Sequence, residues 1–181
     1  MRFEELTVEG AYVLDFDWIE DQRGAYGRGW QKSEFASRGL AAEFSQTNLV
    51  YTRSRGTLRG LHWQVAPCQQ AKLLICTRGS VFEVIVDVRK ESATFMKSVM
   101  VELSAGNPRM VYVPEGCAHG FLTLEGHSEV LYSSTTAYDP ASERGVRYDD
   151  PAFAVQWPIE VKTVSLKDLS WPRFESDDLM P

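Results

Sequence analysis

Short β-rich runs alternate with turn signals at regular intervals along this chain, and that spacing limits its fold more than any other feature. Val8–Asp17 reads as a strand, followed by a turn at Asp21-Gln22-Arg23-Gly24 and a short strand over Tyr26–Trp30. Phe44–Val50 reads as a strand that places Gln46 and Asn48, two residues apart, on one face. Lys72–Thr77 and Ser80–Asp87 are predicted to pair as a hairpin through Arg78-Gly79. Val99–Leu103 and Met110–Val113 flank a turn at Ser104–Pro108. Phe121–Leu124 and Glu129–Thr136 are predicted to close another hairpin through Glu125-Gly126-His127. Helix is confined to Lys32–Arg38, closed by Gly39, and to a turn at Leu166–Leu169. Glu175–Pro181 is expected to be a loose tail. The pattern predicts an all-β antiparallel sandwich or barrel with a few short peripheral helices. Residues 1–181 are expected to form one domain.

Composition narrows the function classes. Hydrophobic residues make up 44% of the 181, which supports a packed core. A net charge of -6 argues against a general nucleic-acid or anionic-membrane surface, while leaving room for a small anion held by local arginines. The N-terminus lacks the apolar stretch of a signal peptide, and the apolar run from Val81 is broken by Glu83 and Asp87. Cys68, Cys76 and Cys117 have neither paired nor metal-type spacing. They are expected to be buried thiols in a cytoplasmic protein.

The densest chemistry lies between Arg59 and Lys72. Arg59, His62, Gln64, Gln70 and Lys72 are interleaved with Leu61, Trp63 and Pro67. Leu58 and Gly60 mark a close approach of backbone. An edge strand with a polar outer face is the plainer alternative. A second histidine, His119, is delivered by Pro114-Glu115-Gly116-Cys117-Ala118-His119, a P-x-G-x-x-H box at the start of a strand. Two such strands can line one barrel mouth, although His119 alone could equally be a core histidine. His127 sits in a turn and is expected to be exposed. The box resembles half of the cupin signature. The other half, normally H-x-H, reads His62-Trp63-Gln64, so a third good metal ligand is missing and no metal is expected.

Taken in order, further segments make a more specific match. They are Asp21-Gln22-Arg23-Gly24, Gln46-Thr47-Asn48, Leu58 to Gln64, Lys72-Leu73-Leu74, Val86-Asp87-Val88-Arg89, Ser92 to Phe95, Pro114 to Phe121, Tyr132, Asp149-Asp150-Pro151, Trp157-Pro158 and Ser165 to Asp168. Over nearly its whole length the chain resembles the dTDP-4-dehydrorhamnose 3,5-epimerase family. These are cofactor-free sugar-nucleotide epimerases with a cupin-type jelly roll. The resemblance implies that His62 is the catalytic base, oriented by Asp168, that Tyr132 is the acid, and that Lys72 sits by the sugar carbonyl. It places His119 in the pocket, Arg59 and Arg23 on the diphosphate, and Gln46, Asn48, Tyr26 and Tyr138 on the substrate. It also implies a homodimer, with the segment of Arg23 reaching into the neighbouring subunit.

The residue types suit that chemistry. Removing a proton next to a ketone requires a donor at the enolate oxygen, typically worth about 2.7–4 kcal/mol. Lys72 and His119 can supply it. An ordinary histidine has a pKa close to the optimum for a base, and a tyrosine hydroxyl can return a proton to the opposite face. No dinucleotide or phosphate-loop glycine pattern is present. The chain departs from the family at the substrate rim. Tyr26 and Arg28 stand where Phe and Glu are usual, Ala137 replaces one of two adjacent tyrosines, and Gln70-Ala71-Lys72 replaces Q-G-K. These changes bear on which nucleotide and which carbon, C3 or C5 or both. The alternatives are a metal-dependent cupin isomerase or dioxygenase, and a non-catalytic sugar-nucleotide-binding cupin.

Overall fold

A computed structural model describes residues 1–174; the predicted loose tail, Glu175–Pro181, lies outside the described residues. The strands are β1 (Arg2–Glu5), β2 (Tyr12–Asp15), β3 (Ile19–Asp21), β4 (Gly24–Tyr26), β5 (Gln46–Thr52), β6 (Thr57–Gln64), β7 (Lys72–Arg78) and β8 (Ser80–Asp87). They continue with β9 (Ser98–Ser104), β10 (Arg109–Val113), β11 (Cys117–Thr123), β12 (Ser128–Ser134), β13 (Glu143–Gly145) and β14 (Thr163–Val164). The helices are α1 (Lys32–Ala36) and α2 (Leu166–Ser170), with a single 3-10 turn at Pro151–Phe153. One sheet runs β1-β2-β10-β7-β12-β5, and the other runs β13-β6-β11-β8-β9 with β14 parallel to β6. This is the expected antiparallel sandwich.

The period of two decides which side chains meet between the sheets. On β8, Val81 and Ile85 point inward, while Val84 and Val86 point to the outer face. Inward residues from both sheets, among them Val13, Leu74, Leu103, Val111, Phe121 and Val130, form the inter-sheet core. Full burial of each such side chain is worth about 1.5–3 kcal/mol. The outer face of the second sheet is covered by the C-terminal third, through Phe153, Trp157 and Phe174. Phe35 of α1, with Leu40 and Phe44, covers part of the first.

Both predicted hairpins are instead crossings between sheets. β7 pairs with β10 and β12, whereas β8 pairs with β11 and β9. Likewise β11 and β12 belong to opposite sheets. β8 has seven of its eight residues buried, so it needs strands on both edges and cover on both faces. Arg78-Gly79 cannot supply all of that as a hairpin turn. Gly79 makes the crossing at φ 70, where a Cβ would lie 2.5 Å from Ser128 Oγ.

Other boundaries shift for local reasons. The predicted Val8–Asp17 strand begins only at Tyr12, because Val8–Ala11 turns back to pair β2 with β1, a strand the sequence pattern did not reveal. The predicted Tyr26–Trp30 strand ends at Tyr26, the last residue of the β3–β4 hairpin. Gly27 then lies against the stacked rings of Phe16 and Trp18. β6 is no edge strand: β11 flanks one side, and β13 and β14 flank the other.

Candidate functional site

The site opens between the sheets. Two cavities, of about 340 and 460 Å³, share His62, Lys72 and Tyr132 in their walls. His62 comes from β6 of the second sheet, and Lys72 and Tyr132 from β7 and β12 of the first. His62 stands opposite His119 in the β6–β11 register, with ring centroids 6.1 Å apart. Immediately beyond that pair the register shifts. There Gly60 and Gly120 let the backbones touch: a Cβ on Gly60 would lie 2.7 Å from the Gly120 Cα. The glycine read as a mark of close approach has that role.

Asp168 is buried at the first turn of α2, with its amide capped by Ser165. Its Oδ1 lies 4.0 Å from His62 Nε2, and its Oδ2 accepts the Gly60 amide at 3.4 Å. Burial, and then the charge of Lys72, pull the His62 pKa down to about 4, against the opposing pull of Asp168 and Glu143. The imidazole is therefore neutral at pH 7 and can accept a proton. It is a weaker base than the near-neutral histidine expected from its residue type.

Lys72 is 9% exposed, and its Nζ lies 2.7 Å from His119 Nε2. On the far side of that ring, Nδ1 lies 2.7 Å from Glu83 Oε1. Burial lowers Lys72 to about 8, while Glu83 and Glu143 hold it up. Burial, with the charges of Lys72 and His62, pushes His119 well below its ordinary value. Burial alone raises Tyr132. The Tyr132 ring centroid is 5.9 Å from Lys72 Nζ.

Around this centre, Gln46 Nε2 donates to Asn48 Oδ1 at 2.9 Å, on the shared face predicted for them. Asn48 Nδ2 is buried without a partner among the described residues, and Asn48 borders the smaller cavity. Arg59, in the wall of the larger cavity, donates to Thr52 Oγ1 at 3.2 Å. Tyr138 lines the smaller cavity and donates its hydroxyl to Glu143 Oε2 at 2.8 Å. Arg23 and Tyr26 are not brought to these cavities within one chain. They lie exposed on the β3–β4 hairpin, with Arg23 paired to Asp21 at 2.6 Å. Gln64 and Gln70 are turned to backbone, donating to Cys68 O and Thr136 O. His127 is exposed and contacts Tyr51. Cys76 and Cys117 are buried free thiols, and Cys68 is half-buried.

Two carboxylates of the site escaped the sequence reading. Glu143 borders the smaller cavity and binds Lys167 as well as Tyr138. Nothing in its loop-like surroundings marks it. Glu83 was visible only as a break in an apolar run, yet its position two residues from both Val81 and Ile85 already put it on their face. Among the described residues no three His, Cys, Asp or Glu side chains converge as a metal site.

The sequence model of dTDP-4-dehydrorhamnose 3,5-epimerase matches residues 5–176. The chain belongs to the dTDP-4-dehydrorhamnose 3,5-epimerase family. It is 39% identical over 160 residues to the enzyme of that name from Shigella flexneri, covering 87% of each chain. Its fold superposes with TM-score 0.94 on the crystal structure of the Elizabethkingia anophelis enzyme, at 35% identity, covering 99% of this chain and 98% of that one. A Legionella pneumophila dTDP-6-deoxy-D-glucose-3,5-epimerase, solved in complex with dTDP-4-keto-L-rhamnose, is similar at TM-score 0.88 and 32% identity, covering 95% and 92%. The fold is thus the cupin-type jelly roll, and the chain is an isomerase of the epimerase class. No helix among the described residues is long and apolar enough to cross a membrane.

Proposed function

We propose that this protein epimerises a 4-keto-6-deoxy sugar carried on a nucleoside diphosphate, inverting C3, C5 or both without a cofactor. The observation that carries the reading is the placement of His62 on one sheet and of Tyr132 and Lys72 on the other, all three facing the same space. His62 removes the proton next to the ketone. Asp168, near His62 Nε2, steadies the imidazolium that forms. Lys72 meets the developing enolate oxygen, with His119 behind it. Tyr132, kept protonated by burial, returns a proton from the other face. As negative charge builds up beside His62, the depressing effect of Lys72 is offset and the base strengthens during the step that uses it.

Arg59 is assigned to the diphosphate, where a guanidinium fork suits phosphate oxygens. Asn48, with its unpartnered amide, and Gln46 contact the sugar nucleotide, and Tyr138 lies at the rim. Arg23 and Tyr26 complete the site from a second copy in a homodimer, which fits their exposed hairpin remote from the cavities of their own chain. The whole chain acts as one domain, in the cytoplasm.

Solvent-deuterium uptake by dTDP-4-keto-6-deoxyglucose, followed by NMR, tests the reading. Exchange at C3 or C5 with inversion is expected, undiminished by a chelator. Absence of exchange, or activity that returns only with an added divalent metal, would overturn it.

A further inference from the structure

Glu83 is fully buried between the sheets, one oxygen bound to His119 and the other without a partner among the described residues. With His119 and Lys72 it forms a continuous line, two contacts of 2.7 Å on opposite nitrogens of one ring. The chemistry above uses Lys72 and borders on His119, but gives Glu83 no task. A carboxylate in that position is costly to bury, and an apolar residue would complete the face of Val81 and Ile85. We propose that Glu83 is a positioning residue: acting through the His119 imidazole, its carboxylate holds Lys72 as a protonated donor aimed at the oxygen of the reacting ketone. This rests on the epimerase reading and adds to it a residue that never touches substrate.

The proton count leads there. His119 is neutral, so its ring carries one N–H. Burial raises the Glu83 carboxyl well above its ordinary value and the charge of Lys72 opposes that rise; while both ends are ionised, Nδ1–H donates to Glu83 and Nε2 accepts from Lys72. One of the three ammonium hydrogens is thereby fixed, and two remain for the cavity. If the carboxylate loses its charge, the ring can turn its proton towards Lys72, which must then be a neutral amine. The groups facing Lys72 are His62 of β6, Glu83 of β8, His119 of β11, Tyr132 of β12 and Glu143 of β13, with Lys167 and Asp168 of α2 beside His62. Among the charged groups, Glu83 and then Glu143 favour the ammonium form. Glu143 already binds Lys167 and the Tyr138 hydroxyl, whereas among the described residues the only side chain bound to Glu83 is His119. Lys72, lowered to about 8, sits close enough to neutrality for this support to decide its charge.

The test is the pH profile of kcat and KM for the whole chain with dTDP-4-keto-6-deoxyglucose, comparing wild type, Glu83→Gln and Glu83→Asp. Glu83→Gln should lower kcat by about threefold at pH 7.5 and by about tenfold at pH 9. KM should stay within about threefold, and the alkaline limb should move down by about one pH unit, so that the deficit shrinks at pH 6. Glu83→Asp, which keeps the charge, should return the limb to the wild-type position. A purely structural glutamate would instead give a deficit equal at every pH, or a change in thermal stability alone, and either result overturns the proposal. Should Glu83→Gln not fold, Glu83→Met fills the space without charge and carries the same expectations. A wild-type protein that exchanges no proton sinks the epimerase reading and this proposal together. Wild-type activity with an unaltered Glu83→Gln profile sinks this proposal alone.

Discussion

The inter-sheet space contains two regions built from the same strands and the same faces. On β8, Glu83 lies between Val81 and Ile85; on β11, His119 lies between Cys117 and Phe121. On β12, Tyr132 follows Val130, and on β7, Lys72 precedes Leu74, again one period-two step apart. One region is wholly apolar and gains free energy from burial. The other consists of charged and polar groups that burial penalises. The contrast teaches that the core fixes the proposed catalytic groups simply by continuing into them. The positions are rigid because their neighbours on the same strands are packed, and the chemistry is held at some expense of stability.

If that division is sound, each region can be broken without the other. The largest effect should come from His62→Asn. Loss of the only base should cut both exchange and epimerisation by about 10⁴-fold, at the upper end of general-base effects. The melting temperature should hold or rise, because a desolvated imidazole is replaced. Exchange at a wild-type rate would remove His62 from the mechanism.

Tyr132→Phe should be next, and more selective. His62 can still take the proton, trade it with water and return it to the same face. Substrate should therefore gain deuterium at the reacting carbon while inversion falls by about 10²–10³-fold. Inversion at a near wild-type rate would show that another group is the acid. Exchange that stops while binding persists would place Tyr132 in the first step.

The reverse experiment removes apolar bulk. Leu103 of β9 is fully buried in the inter-sheet core and lines neither of the two cavities. Leu103→Ala should cost about 2–5 kcal/mol in urea unfolding. Activity per folded molecule should stay within about twofold, because Leu103 itself borders neither cavity. A large loss of kcat in the folded variant would mean that core and site are one cooperative unit.

The apolar region was the easier of the two to read from sequence, because period-two burial is local. Val81, Ile85 and Val130 announce themselves within a few residues. What failed was partner choice. Arg78-Gly79 joins two strands whether they pair or cross, and the difference depends on β10, β11 and β12, which lie far along the chain. At the site, His62, Lys72, His119, Tyr132 and Asp168 were named through residue type and family resemblance, and the fold brings them together. Glu83 and Glu143 were missed for opposite reasons. Glu83 was hidden in a hydrophobic run, and Glu143 acquires its partners only from Tyr138 and from Lys167 of α2. Arg23 and Tyr26 were named yet lie apart from the cavities in one chain, so their proposed role requires a second copy, which strand patterns do not encode.

The smallest effect is electrostatic and separates the regions by pH. Burial keeps the thiols of the apolar region neutral, with Cys117 pushed up to about 12, so that region does not titrate between pH 4 and 7. His62 does. Its folded pKa of about 4 lies below the unfolded value near 6.5, so between the two the unfolded chain binds more protons. Stability from this group is complete above pH 6.5 and is lost as pH falls towards 4. The loss is on the order of 1–3 kcal/mol, reduced because the ring is partly open to the cavity. Glu83, raised by burial, acts in the opposite direction in acid, so the wild-type curve alone is a mixture. The difference between wild type and His62→Asn isolates the histidine. Calorimetry at pH 7.5 and pH 4.5 should show the variant gaining on the wild type as the solution is acidified. Parallel losses in the two proteins would mean that His62 is not held neutral by its surroundings. Its readiness as a base at pH 7 would then owe nothing to the site region that Lys72 and Asp168 share with it.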